Sequence, residues 1–139
     1  IQRADRQEKP IVELRREANA PPFPGFNDFR TRMSELRAIP ATWRVALSAV
    51  SGVYLLVSMS DGKPYVGSAC GAGGLWGRWE AYARDGHGGN AGMKLVRGHD
   101  YQVSILEVLS PAAPAEEVLR AESRWKAKIL SREYGLNRN

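Results

Sequence analysis

Two runs of strand-favouring residues, 53–58 and 64–69, lie on either side of an Asp61-Gly62 pair, and they restrict the fold more than any other stretch. β-Branched and aromatic side chains suit a pleated, half-buried surface, and Asp-Gly supplies the positive φ of a tight hairpin. The pattern predicts an antiparallel pair of strands, with Tyr54 on the first and Tyr65 on the second. An even-membered loop leaves both tyrosines on one face, beside the small residues Ser58, Gly67 and Ala69. Pairing centred on Asp61-Gly62 offsets the two rings by four residues, about 13 Å along the strand.

The rest of the chain alternates helical and extended patterns, which predicts an α+β fold. Residues 1–20 are dense in charge, and Pro21-Pro22-Phe23-Pro24-Gly25 marks a boundary after them. Residues 34–36 open a short helix that Pro40 stops, and Thr42 is placed to cap a second one carrying Trp43, Leu47 and Val50. A glycine-rich connection, 71–74, leads into an amphipathic helix over 75–84. The loop 86–90 precedes a short helix through Met93 and Leu95, and 101–109 alternates as a third strand. Pro111 and Pro114 introduce a long helix to about Leu130.

With 139 residues the chain suits one domain with an extension, long enough to bury a core. Twenty Lys plus Arg against fifteen Asp plus Glu give +5, which favours a polyanionic partner such as nucleic acid. One cysteine, Cys70, excludes an internal disulfide and fits a reducing, cytoplasmic setting. One Cys and two His are too few soft ligands for structural zinc, so a metal here would be held by oxygen. The uncharged stretch from Val45 up to Asp61 falls short of a membrane span, and no membrane partner is expected.

The long helix carries the sharpest chemical signal. Val118, Trp125 and Ile129 share one stripe, and Glu122 falls in its middle. A carboxylate facing a core is costly unless a metal, a cation or several donors pair with it. A structural salt bridge would also account for it. On the preceding helix Arg78 lies four residues before Tyr82, at the border of the face formed by Leu75, Trp79, Tyr82 and Ala83. A guanidinium held beside a tyrosine can offer a fixed fork to a phosphate, although a snorkelling arginine looks the same in sequence. Trp76 is a candidate for stacking on a base, and Lys63, Arg84 and His87 for contacts with a nucleic-acid backbone.

Taken in order, Gly52-Val53-Tyr54, Tyr65-Val66-Gly67, Arg78, Tyr82, Glu122 and Asn137 resemble the GIY-YIG nuclease superfamily. The stretches 75–79, 86–90 and 135–137 are similar to its bacterial stand-alone members. Val53 and Val66 replace the isoleucines of the family name, and the gap from Tyr65 to Arg78 is longer than in compact members. The resemblance covers about residues 51–139. It implies a three-stranded antiparallel sheet flanked by helices, with 21–50 as an N-terminal helical extension. Residues 1–20 would then be a linker, or the remnant of an upstream domain in a longer chain. It further implies a DNA endonuclease using one Mg2+ or Mn2+ ion held by Glu122. Tyr54 would be the general base, with Tyr65 positioning water or phosphate. Arg78 would neutralise charge on the phosphoryl group, Tyr82 would hold the arginine or phosphate, and Asn137 would support the glutamate or tyrosine network. The competing expectations are a non-catalytic DNA-binding or assembly module with the same fold, and a protein-interaction domain.

Overall fold

A computed structural model describes residues 20–85 and 99–139 of the chain. The expectations for residues 1–19, for the loop 86–90 with His87, and for a helix through Met93 and Leu95 lie outside the described residues. In chain order the elements are β1 (Arg30–Arg32), a short 3-10 helix (Met33–Ala38), α1 (Ala41–Ser48), β2 (Ser51–Ser58), β3 (Pro64–Ala69), α2 (Gly74–Asp85), β4 (Tyr101–Leu109) and α3 (Ala115–Ile129). The strands form one antiparallel sheet in the order β1-β4-β2-β3, so the fold is mixed α and β. The sheet has four strands rather than three, because β1 comes from the segment expected to be a helical extension. Its Arg-Thr-Arg sequence carries no apolar alternation, and charge of this kind is usual on an edge strand.

Alternation along β2 and β3 gives the sheet two apolar faces. Tyr54, Leu56, Tyr65 and Ala69 join Tyr101 and Val103 of β4 beneath Leu75, Trp79 and Tyr82 of α2. Phe29, Met33, Leu36, Ile39 and Leu47 complete that core, so the N-terminal segment belongs to it and is not an appendage. On the other face Val53 and Val66 meet Ala121, Trp125 and Ile129 of α3. Asp100, just ahead of β4, ties the two halves together. Its carboxylate accepts the Ser34 N–H at 3.1 Å, the Ser34 hydroxyl at 2.6 Å and the Tyr101 N–H at 2.9 Å. Partial burial pushes the Asp100 carboxyl upward, but these donors outweigh it and hold the group below its usual range.

The hairpin register corrects the sequence reading. Tyr54 pairs with Gly67 and Leu56 with Tyr65, so the tyrosines are offset by two residues, about 7 Å. The connection spans 58–63, closed by Ser58 N–H to the Lys63 carbonyl at 3.0 Å and Gly62 N–H to the Ser58 carbonyl at 2.8 Å. Asp61 accepts the Lys63 N–H, and Gly62 takes φ 76°, so this pair forms the returning side of a wider turn and not its centre. A two-residue change of register keeps both rings on one face.

The helix boundaries follow local chemistry. α1 starts directly after Pro40, which occupies the capping position in extended conformation, and Thr42 lies inside the first turn rather than capping it. Pro114 plays the same part for α3, with Glu116 and Glu117 in the first turn and Lys126 and Lys128 in the last, the order the helix dipole favours. Leu130, at φ 61°, turns the chain out of α3. Among the described residues, no helix is long and apolar enough to cross a membrane.

Candidate active site

Three elements bring Tyr54, Tyr65, Arg78 and Tyr82 together. Each tyrosine is at most 3% exposed. The Tyr54 hydroxyl donates to that of Tyr82 at 3.3 Å, and Tyr82 also hydrogen-bonds Tyr65, so the three hydroxyls form a chain with Tyr82 in the middle. Gly67 makes room for this arrangement. A Cβ there would sit 2.6 Å from Cζ and Oη of Tyr54, so the tyrosine ring lies across the bare backbone of its partner on β3. Trp79 braces the same ring edge-on at 5.9 Å and is itself stacked on Phe29 at 5.7 Å.

Burial holds the Tyr54 hydroxyl well above the usual tyrosine range, and Tyr82 reinforces the effect. Tyr65 is raised in the same way, by burial first, then by Tyr82 and by the charge of Glu122. The positive charge of half-buried Arg78 opposes both shifts. Tyr65 is therefore the tyrosine that feels both Arg78 and Glu122. Both hydroxyls are held protonated.

Glu122 reaches the β3 edge from α3. One carboxylate oxygen accepts the Ser68 hydroxyl, and the other lies 2.7 Å from the ammonium of Lys126, one helical turn further on. The pair is shielded, with Lys126 5% and Glu122 15% exposed. The apolar stripe thus holds an ion pair, the salt bridge that the sequence argument gave as the alternative to a metal. Lys126 and Ser68 are the members that sequence reasoning missed. The signal for Lys126 was available, since it repeats Glu122 at the i+4 spacing. Ser68 alternates onto the α3 side of β3, but nothing in the sequence pairs it with residue 122. Beside them Trp125 donates its indole N–H to Glu107 at 2.9 Å.

Asn137 joins neither Glu122 nor the tyrosines directly. Its side-chain oxygen accepts the Val66 N–H at 2.8 Å and its amide donates to the Val66 carbonyl at 3.0 Å, as a neighbouring strand would. Leu136 N–H bonds the Pro64 carbonyl at 2.8 Å, so the tail 135–137 closes the open edge of β3. Gly135 permits this, because a Cβ there would strike the Pro64 and Ser131 carbonyl oxygens.

The nucleic-acid candidates are dispersed. Lys63 is exposed on the hairpin connection and Arg84 on the last turn of α2. Trp76 is half-buried, and the guanidinium of Arg44 lies 5.5 Å over its ring, so that face serves the contact between α1 and α2.

No three His, Cys, Asp or Glu side chains converge as a metal cage among the described residues. Glu122 alone suits a hard cation that keeps most of its waters and takes its remaining ligand from a phosphate, which is how Mg2+ is usually held. Both Glu122 oxygens already have protein partners, so the fit requires Lys126 to give way. Compared with family models, curated proteins and solved structures, the chain matches none.

Proposed function

We propose that the chain is a GIY-YIG-type endonuclease that hydrolyses phosphodiester bonds in DNA with one divalent cation on Glu122. The observation that carries the reading is the hydroxyl chain of Tyr54, Tyr82 and Tyr65 with Arg78 beside it, together with the charge of Glu122, which reaches Tyr65 from the opposite, α3 side of β3. A cation bound there would polarise the scissile phosphate and lower the pKa of bound water. Arg78 neutralises charge as it builds on the phosphoryl oxygens. Tyr65 takes the role that the resemblance implied for Tyr54, because it senses Glu122 as well as Arg78. It orients the attacking water and accepts its proton only when added positive charge lowers its pKa. Tyr82 holds the Tyr65 hydroxyl in place, and Tyr54 holds Tyr82 from below. The net positive charge of the chain suits a polyanion.

The test is cleavage of supercoiled DNA by Glu122→Gln in Mg2+ and in Mn2+. The amide keeps an acceptor for Ser68 and Lys126 keeps its acceptors on Asn139, a melting curve checks that the fold is retained, and nicking falls by about a thousandfold. Undiminished cleavage by this variant overturns the reading. One observation favours a second reading, a DNA-binding module without catalysis: the Lys126–Glu122 pair satisfies the carboxylate with no metal at all. That reading calls for salt-dependent DNA binding and no cleavage by the wild-type chain in any metal.

A further inference from the structure

Lys126 is an unusual lysine. Only 4% of the residue is exposed, and its ammonium sits 2.7 Å from the carboxylate that the proposed reaction needs for a cation. A buried ion pair of this kind contributes little net stability, whereas removing one partner alone leaves a costly unpaired charge. Surface pairs at i, i+4 decorate many helices, but this one is turned inward, on the stripe shared by Ala121, Trp125 and Ile129. The ammonium also has a second set of acceptors. The Asn139 main-chain oxygen lies at 3.3 Å and its side-chain oxygen at 3.2 Å, and Arg132 holds that main-chain oxygen at 2.7 Å. Lys126 can therefore leave Glu122 without losing every partner.

We propose that Lys126 is a resident counter-ion that occupies the cation's place on Glu122 and withdraws to Asn139 when a divalent metal binds, so that it sets the metal affinity of the site. This rests on the nuclease reading. It accounts for a carboxylate that is both ion-paired within the protein and required by the chemistry. Before metal arrives the ammonium keeps a shielded negative charge compensated. Once metal is bound, like-charge repulsion drives the ammonium away. Lys126 is a positioning residue here, acting through Glu122.

Manganese binding without DNA, followed by electron paramagnetic resonance, tests this on wild type, Lys126→Gln, Lys126→Met and Lys126→Arg. Neutral substitution is expected to tighten Mn2+ binding by about tenfold, and the arginine variant to stay near wild type. Glu122→Gln abolishes binding in every background. Equal affinity in wild type and the two neutral variants overturns the proposal, as does failure of all four proteins to bind Mn2+. On the wild-type chain, a Mg2+ titration followed by lysine ammonium NMR, with Lys126 assigned by its loss in Lys126→Arg, reads the same event if the neutral variants do not fold. A signal that moves on saturation supports withdrawal, and one that stays fixed overturns it. Metal binding with a moving Lys126 and no DNA cleavage would uphold this inference while removing the nuclease reading. Metal-dependent cleavage with unchanged affinity in Lys126→Gln would do the reverse.

Discussion

Gly67 and Tyr54 depend on each other. The tyrosine ring occupies the volume that any side chain at 67 would need, and that placement lets its hydroxyl reach Tyr82. Gly67→Ala therefore forces the ring off its position on a rigid strand, because Trp79 blocks retreat on the other side. Overpacking of this kind costs about 2 kcal/mol, and the same displacement breaks the hydroxyl chain that holds Tyr65. The expected outcome is a lower melting temperature together with a disproportionate loss of nicking. Double substitution with Tyr54→Phe is not expected to restore either, because the phenyl ring fills the same space. A Gly67→Ala variant with wild-type stability would show that the ring moves freely, and that its position is not fixed by the strand.

At the level of elements, β3 is where the site is assembled, and an edge strand holds its register only if something closes its open side. The tail 135–137 does this through Asn137 and Leu136. Asn137→Ala leaves the buried N–H and carbonyl of Val66 without partners, at a cost of about 3 kcal/mol. Tyr65 and Ser68 sit on either side of Val66, so β3 loses its fixed distance from Glu122 as well. Amide hydrogen exchange should show faster exchange at Val66 with little change in β2 and β4. Unaltered exchange at Val66 would contradict this. Much of this arrangement was legible in the sequence: the hairpin strands, the α2 face with Arg78 and Tyr82, β4, and Glu122 on the α3 stripe all follow from local periodicity. What was hidden depends on tertiary partners. β1 is three residues of mostly charged chain that become a strand only beside β4. The hairpin offset depends on Asp61 and Gly62 forming one side of a wider turn, which residue preferences alone do not distinguish from a two-residue turn. Asn137 was singled out as support for the glutamate or tyrosine network, whereas its side chain pairs with the Val66 backbone through a tail that folds back across β3. Lys126 drew no reading from the sequence, and its place on the stripe carrying Glu122 emerges only when α3 packs on the sheet.

The whole molecule joins the N-terminal segment to the site through aromatic rings. Phe29, next to β1, stacks on Trp79, which braces Tyr54, which reaches Tyr82 and through it Tyr65. The tyrosines are thus held in a continuous core spanning most of the described chain, and ionising them requires that core to open. Burial raises both Tyr54 and Tyr65 above the unfolded value of about 10. The sign follows from proton counts: above that value the unfolded chain has released protons that the folded chain keeps, so stability falls as pH rises. The contribution of the two hydroxyls is fully present below the unfolded value and is lost as pH climbs toward the folded ones. Each tyrosine adds a slope of about 1.4 kcal/mol per pH unit in that window. Alkaline titration should show part of the tyrosinate absorbance appearing only together with loss of the circular dichroism signal. Tyr54→Phe should make stability fall less steeply above that point, whatever it costs at neutral pH through the lost bond to Tyr82. Complete ionisation of all tyrosines while the fold persists would mean that water reaches the hydroxyl chain, and the continuous core would then be the wrong description.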